Sequence, residues 1–326
     1  NQAFAALVGV YDVMRKNSGG FENMITFMNA GSDDFFAGGG GASDGQGIQD
    51  FSSYHTNQQT MPLSYWSDHY QGIFRANTLL SKLPGTTMDD ALRARFTAEA
   101  KACRANYYFN LVRMFKNVPL ILEPLAPSDI YDVTQAAPAD VYAQIEADLT
   151  DAIAVLPGTV SAGSEGGRFT KPGAEALLGK VYLYEGKNTE AATILADVNG
   201  SVPGQPNAYG NNLLSSFADL WVFSNKFNAE ALIEVTHSNQ VSLGDWGLWG
   251  SSRDESNTVN QMVGPRSYVP VTVNAPDFIG NGWSFNPVTD DLYNALQGDP
   301  RFDATVFDVD ALVANGDATY NAGACY

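Results

Sequence analysis

Residues 168–203 read RFTKPGAEALLGKVYLYEGKNTEAATILADVNGSVP, two helical patterns in tandem. Pro172 fits a helix start, where a missing N–H costs nothing. Ala174, Leu177, Leu178, Val181, Tyr182 and Tyr184 then recur at helical spacing, and Gly186 ends the run. A second pattern begins near Thr189, carries Ala191, Ala192, Leu195 and Val198 on one side, and stops at Gly200.

The spacing is more specific than the amphipathicity. Leu178-Gly179, Tyr182, Gly186, Ala191, Leu195 and Pro203 fall in the register of the tetratricopeptide repeat, a helix-turn-helix unit of about 34 residues. Gly179 and Ala191 are small where two antiparallel helices touch, and Tyr182 and Leu195 fill the space beside them. The Trp expected near the start of such a unit is replaced by Glu175.

The chain has 326 residues, 44% of them hydrophobic, which is enough for a sizeable core. No run approaches the roughly 20 apolar residues of a membrane span. The N-terminal NQAFAALVGVYDVM has no basic region and no cleavage site, and reads as the first helix of a mature or trimmed chain. The 36 acidic against 18 basic residues give a formal net charge of −18, which argues against nucleic acid and anionic lipid as partners. Two cysteines, Cys103 and Cys325, suggest neither a disulfide scaffold nor a metal site, and Cys103 reads as core.

Helical patterns are expected at residues 2–16, 63–83, 88–115 and 139–156, before the hairpin at 168–203. Residues 1–203 therefore read as a helical-repeat scaffold, an α-solenoid segment. It is interrupted at 21–61 by a stretch with no sustained helical period, containing Asp33-Asp34, the run Gly38–Gly41, Phe51, Tyr54, His55 and Asn57. A loop that long inside a domain usually has a function. The glycine run lacks the Lys-Ser/Thr of a phosphate loop. Residues 204–326 are rich in glycine, asparagine and aromatics and read as the irregular, ligand-binding part of the same single domain. Ala231–Val235 looks like a short strand, and Thr289 like the N-cap of a last helix. The chain then stops without an evident terminating element and looks cut off. The expected fold class is mostly α, with tetratricopeptide-like hairpins, long irregular loops and a few short strands.

Together these residues resemble the SusD/RagB family, cell-surface glycan-binding lipoproteins of Bacteroidetes. Asp33-Asp34 matches an acidic pair after the first helix. Trp66, Tyr70, Ile73 and Ala76-Asn77 resemble a W-x3-Y-x2-I-x2-A-N helix. AEAKACRANYYFNLVRMFKNVPLI (98–121) and GRFTKPGAEALLGKVYLYEGK (167–187) are similar to the two most specific blocks, and Thr289, Leu292 and Asp299-Pro300-Arg301 to a T-x-x-L…D-P-R stretch. The chain lacks the lipidated cysteine and the C-terminal portion that family members usually have. The resemblance implies a non-catalytic protein on the extracellular face of the outer membrane, tethered by an N-terminal lipid anchor absent here. It would act as a lid on a SusC-like TonB-dependent transporter to which it delivers oligosaccharides, with no cofactor.

Sugars present apolar C–H faces and a rim of hydroxyls, so flat aromatics with Asp, Asn, Gln and Arg beside them are the signal to seek. Trp246 and Trp249, flanked by glycines, are the first candidates, although either would also serve as a core plug. Tyr268 with Arg266 comes next. Trp283, close to a helix start, fits packing as well as binding. From the early loop, Tyr54, His55 and Asn57 are candidates, with Phe51 as a further platform. Asp33 and Asp34 fit either ligand contact or a turn, where Asp side chains bind N–H groups. Trp66 and Tyr70 read as core. Net negative charge leans toward a neutral glycan such as a β-glucan or fructan. Two other classes stay open: a peptide-binding helical scaffold, and a glycosidase with paired carboxylates. No motif singles out a carboxylate pair, and His55, His69 and His237 lack metal-ligand spacing.

Overall fold

The structure, a computed structural model, describes residues 2–202, 204–237, 257–276 and 282–320. The chain forms two compact units, residues 1–14 with 64–236 and residues 15–63 with 237–326. In chain order the helices are α1 (Gln2–Asp12), α2 (Met24–Ala30), α3 (Gln46–Ser52), α4 (Leu63–Lys82), α5 (Asp90–Phe115), α6 (Pro138–Ile153), α7 (Ala162–Glu165), α8 (Lys171–Glu185), α9 (Asn188–Asn199), α10 (Val259–Val263), α11 (Asp290–Ala295), α12 (Phe302–Thr305) and α13 (Val309–Ala314). No described helix is long and apolar enough to cross a membrane.

The first unit is built of helical hairpins around α5, most of whose residues from Ala98 to Val112 are buried. It packs against α1 and α6; α6 packs on α8, and α8 pairs with α9. Small residues permit these approaches. A Cβ on Gly72 of α4 would lie 2.5 Å from the Tyr107 ring of α5, and one on Gly179 of α8 only 2.4 Å from Leu195 Cγ of α9. The second contact is the close packing that the repeat register predicts. Thr170 caps α8 by accepting from the Gly173 N–H at 3.3 Å. Gly186 ends it in the left-handed region at φ 74°, while the Lys187 N–H reaches back to the Tyr182 carbonyl.

Glu175, in the place of the repeat's Trp, is buried and accepts a hydrogen bond from the Tyr209 hydroxyl at 3.2 Å. Burial raises its carboxyl above the usual range. Residues 204–236 belong to this unit because they are tied to α8 and α9. The Asn207 amide donates to the Val198 carbonyl at 2.7 Å. The expected strand at 231–235 does not form: the segment lies instead on the first turn of α8, where a Cβ on Gly173 would meet the Leu232 carbonyl oxygen at 2.8 Å.

Two arginines, Arg104 buried and Arg168 partly buried, join distant blocks of sequence here. Arg104 holds Asp148 bidentately and also donates to Asn77 Oδ1 at 2.8 Å. Arg168 forks onto Glu99, which is fully buried and also accepts from the Tyr11 hydroxyl at 2.7 Å. Cys103 is buried, and burial pushes its thiol well up.

The second unit is mostly irregular. The stretch expected to lack helices carries two of seven residues each, α2 and α3, too short for a period to register. Asn23 caps α2 by accepting from the Thr26 N–H at 2.9 Å, and Thr289 caps α11 as expected. The strands β1 (Val269–Pro270) and β2 (Ala318–Thr319) pair antiparallel, Val269 opposite Thr319.

Candidate functional site

The second unit contains a cavity of about 450 Å³ lined by Phe21, Asp44, Arg266, Ser267, Gly282, Trp283 and Phe285. Its wall is a backbone mesh. Residues 282–285 donate in turn to the carbonyls of Pro265, Gln261, Gly264 and Met262. On their other side, Gly39 donates to the Ser284 carbonyl at 2.7 Å and Asn286 to the Ala37 carbonyl at 3.1 Å.

The glycine run explains how segments this close coexist. A Cβ on Gly38, whose φ is +69°, would lie 2.2 Å from the Ser284 carbonyl oxygen; one on Gly39 would meet the Phe285 ring at 2.7 Å, and one on Gly40 the Arg266 Nη1 at 2.3 Å. The run is a packing surface that brings the 37–44 loop onto residues 266 and 283–287. Ser267, Ser284 and Asn286 also sit at positive φ, 56°, 59° and 53°. Such conformations cost about 1 kcal/mol or more each outside glycine and cluster at ligand sites.

The side chains are set by this mesh. Asp44 accepts from the Gly40 N–H at 2.7 Å. Arg266 donates from Nη2 to Asp44 Oδ2 at 2.7 Å and to the Trp283 carbonyl at 3.2 Å. Phe21 meets Phe285 edge-on at 5.7 Å and Trp283 at 6.3 Å. The cavity thus offers aromatic walls and one carboxylate–guanidinium pair. Apolar C–H faces can stack on the first, and hydroxyls can bond to the second. The described lining supplies one carboxylate, Asp44, where glycoside hydrolysis uses two.

Of the residues expected from sequence, the structure brings Arg266 and Trp283 together at this cavity. Trp246 and Trp249 lie outside the described residues. Tyr268 is corrected: it is only 7% exposed, its hydroxyl donates to the Pro276 carbonyl, and its ring packs edge-on against Phe307 at 5.6 Å. It anchors a small core cluster instead of presenting a face to ligand. Phe51 is likewise packed, edge-on to Phe27 at 5.3 Å. Tyr54 is exposed, with its hydroxyl on the Gly31 carbonyl. His55 and Asn57 are exposed on a turn that Asn57 closes by accepting from the Gln59 N–H. None of these three lines the cavity. Asp33 and Asp34 are exposed, and among the described residues it is their carbonyls that are engaged, by Thr289. Asp44, Phe21, Ser267, Gly282 and Phe285 were not anticipated. The available signal was Asp44 at the end of a glycine run, between Ser43 and Gly45, and Phe285 two residues after Trp283.

The model of a SusD-like family described as "Starch-binding associating with outer membrane" matches residues 6–183, more than half of the chain. The chain belongs to the SusD-like family. A solved structure named "Laminarin binding SusD-like protein" is 57% identical, with a TM-score of 0.95 over 99% of this chain and 69% of that one. Surface glycan-binding protein A from Bacteroides thetaiotaomicron, in complex with laminarihexaose, is 21% identical with a TM-score of 0.81 over 97% of this chain and 65% of that one, and shares the fold. SusD-like protein P25 of Formosa agariphila is 21% identical over 80% of this chain and 50% of its own length. The chain thus spans half the length of that curated relative.

Proposed function

We propose that this chain binds a neutral β-glucan of the laminarin class without cleaving it. In its full-length form it is lipid-anchored on the extracellular face of the outer membrane and delivers oligosaccharides to a SusC-like TonB-dependent transporter. The observation that carries the reading is the 57% identity, over 99% of the chain, to a protein named for laminarin binding. That name supports the β-glucan alternative over the fructan. The aromatic-walled cavity with its Asp44–Arg266 pair supports it, because stacking faces beside a donor and an acceptor suit a chain of uncharged sugars. The loop aromatics Trp246 and Trp249 are retained as further stacking candidates, with Tyr54, His55 and Asn57 as outlying contacts.

Electrophoresis through gels containing laminarin or inulin tests the reading. Retardation is expected in laminarin alone, and weaker retardation for Trp246→Ala/Trp249→Ala. Equal migration in both gels rejects the ligand, and sustained release of reducing ends from laminarin rejects the non-catalytic role. Co-purification of the full-length protein with an outer-membrane transporter tests delivery.

A further inference from the structure

We propose that Asp44 makes the cavity selective for uncharged sugars by occupying Arg266; this inference rests on the glycan reading above. An unencumbered guanidinium on an aromatic wall is the usual receptor for carboxylate or sulfate, which it grips through two parallel N–H bonds. Arg266 has no such fork left. Its Nη2 is committed to Asp44 Oδ2 and the Trp283 carbonyl. Its Nε is buried without an acceptor among the described residues. Only Nη1 remains, and it is neither buried nor hydrogen-bonded among those residues. Gly40 leaves room for that tip, since a Cβ there would lie 2.3 Å from it.

Asp44 completes the logic. Its Oδ2 is shared by Arg266 and the Gly40 N–H, which leaves Oδ1 without a partner among the described residues, on a side chain 36% exposed. The pair therefore presents one donor, Nη1, and one acceptor, Oδ1. A hydroxyl both donates and accepts and satisfies the two. A uronate carboxylate only accepts, so it meets Oδ1 acceptor to acceptor and charge to like charge. Polar contacts of this kind discriminate by what they repel as much as by what they hold.

The test is calorimetric titration of the chain with laminarihexaose and with its counterpart carrying carboxylates at C6. The wild type is expected to prefer the neutral ligand by about tenfold or more. Asp44→Asn should shift the affinity ratio toward the carboxylated ligand by about tenfold or more, a gain that shrinks with added salt. Adding Arg266→Met should cancel that gain. Should Asp44→Asn melt below the assay temperature, Asp44→Ser provides the same measurement. An unchanged ratio, or a wild type that binds both ligands equally, overturns the proposal while leaving laminarin binding intact. A wild type that binds neither ligand overturns the functional reading and this inference with it.

Discussion

Arg104 donates from Nε and Nη2 to the two carboxylate oxygens of Asp148, each at 2.8 Å, and both side chains are almost wholly buried. The pair links the middle of α5 to α6, and through Asn77 it also reaches α4. Removing one partner strands a charge away from water. Arg104→Met should therefore lower unfolding free energy by about 3–5 kcal/mol. Replacing both, as Arg104→Met/Asp148→Leu, should recover most of that loss, because the desolvation cost disappears with the second charge. Urea unfolding of the two variants decides it; a double variant no more stable than the single one would count against the pair as the source.

The α8–α9 hairpin depends on the absence of a side chain at Gly179. An alanine there would place its Cβ 2.4–2.5 Å from Leu195 Cγ and Cδ2. Both helices are anchored, so overpacking should cost about 1–3 kcal/mol in Gly179→Ala. In a Leu195→Ala background the same substitution should be close to neutral or stabilising, since alanine favours helix by about 1 kcal/mol over glycine. Thermal melts of the four proteins measure the coupling. Additive effects would reject the contact as the cause.

The C-terminal end of α8 carries a pH-dependent contribution. Burial and a hydrogen bond with Glu146 push the Glu185 carboxyl up to about 6, from an ordinary 4.5, while Lys187 bonds to both glutamates. Burial also raises Glu146, but its hydrogen bonds with Glu185 and Lys187 outweigh this and leave it lowered. In the window between 4.5 and about 6 the folded chain holds a proton on Glu185 that the unfolded chain has released. Stability is thus lost as pH rises through that window. Glu185→Gln keeps a donor toward Glu146 and cannot titrate. Its melting temperature relative to wild type should rise from pH 4 to pH 7.5; a pH-independent difference would falsify the assignment.

The scaffold was legible in the sequence because its helices are long. Ten or more residues repeat a period often enough to show, and Gly179 with Leu195 fixed the packing register. The α2 and α3 helices were not legible, since seven residues span barely two turns. Tyr268 shows a different limit. An aromatic beside an arginine on a glycine-rich loop reads the same whether it faces ligand or Phe307, and only the fold brings residue 307 to it. Asp44 was missed for the converse reason: its partner Arg266 is 222 residues away. The apolar run at 231–235 satisfied a strand pattern, yet a strand needs a ladder, and this segment meets helix α8 instead.

Gly38 and Gly40 are two residues apart and should fail in opposite ways. At Gly38 a Cβ meets backbone, the Ser284 carbonyl oxygen at 2.2 Å, and the residue is at φ +69°. Neither can be relieved by a side-chain rotation. Gly38→Ala should therefore destabilise the chain by roughly 2–4 kcal/mol, a strain and overpacking effect. At Gly40 the Cβ meets side-chain ends and no backbone: Arg266 Nη1 at 2.3 Å and Cζ at 2.9 Å, and Asp44 Oδ2 at 3.1 Å. Gly40→Ala should displace that guanidinium and leave the melting temperature within about 2 °C of wild type, as for a substitution that perturbs no core. If the cavity is the glycan site, Gly40→Ala should weaken laminarihexaose binding by about tenfold, the effect of losing one well-placed polar contact. Calorimetric titration alongside a thermal melt separates the two. Full-strength binding by a correctly folded Gly40→Ala would move the glycan site away from Arg266.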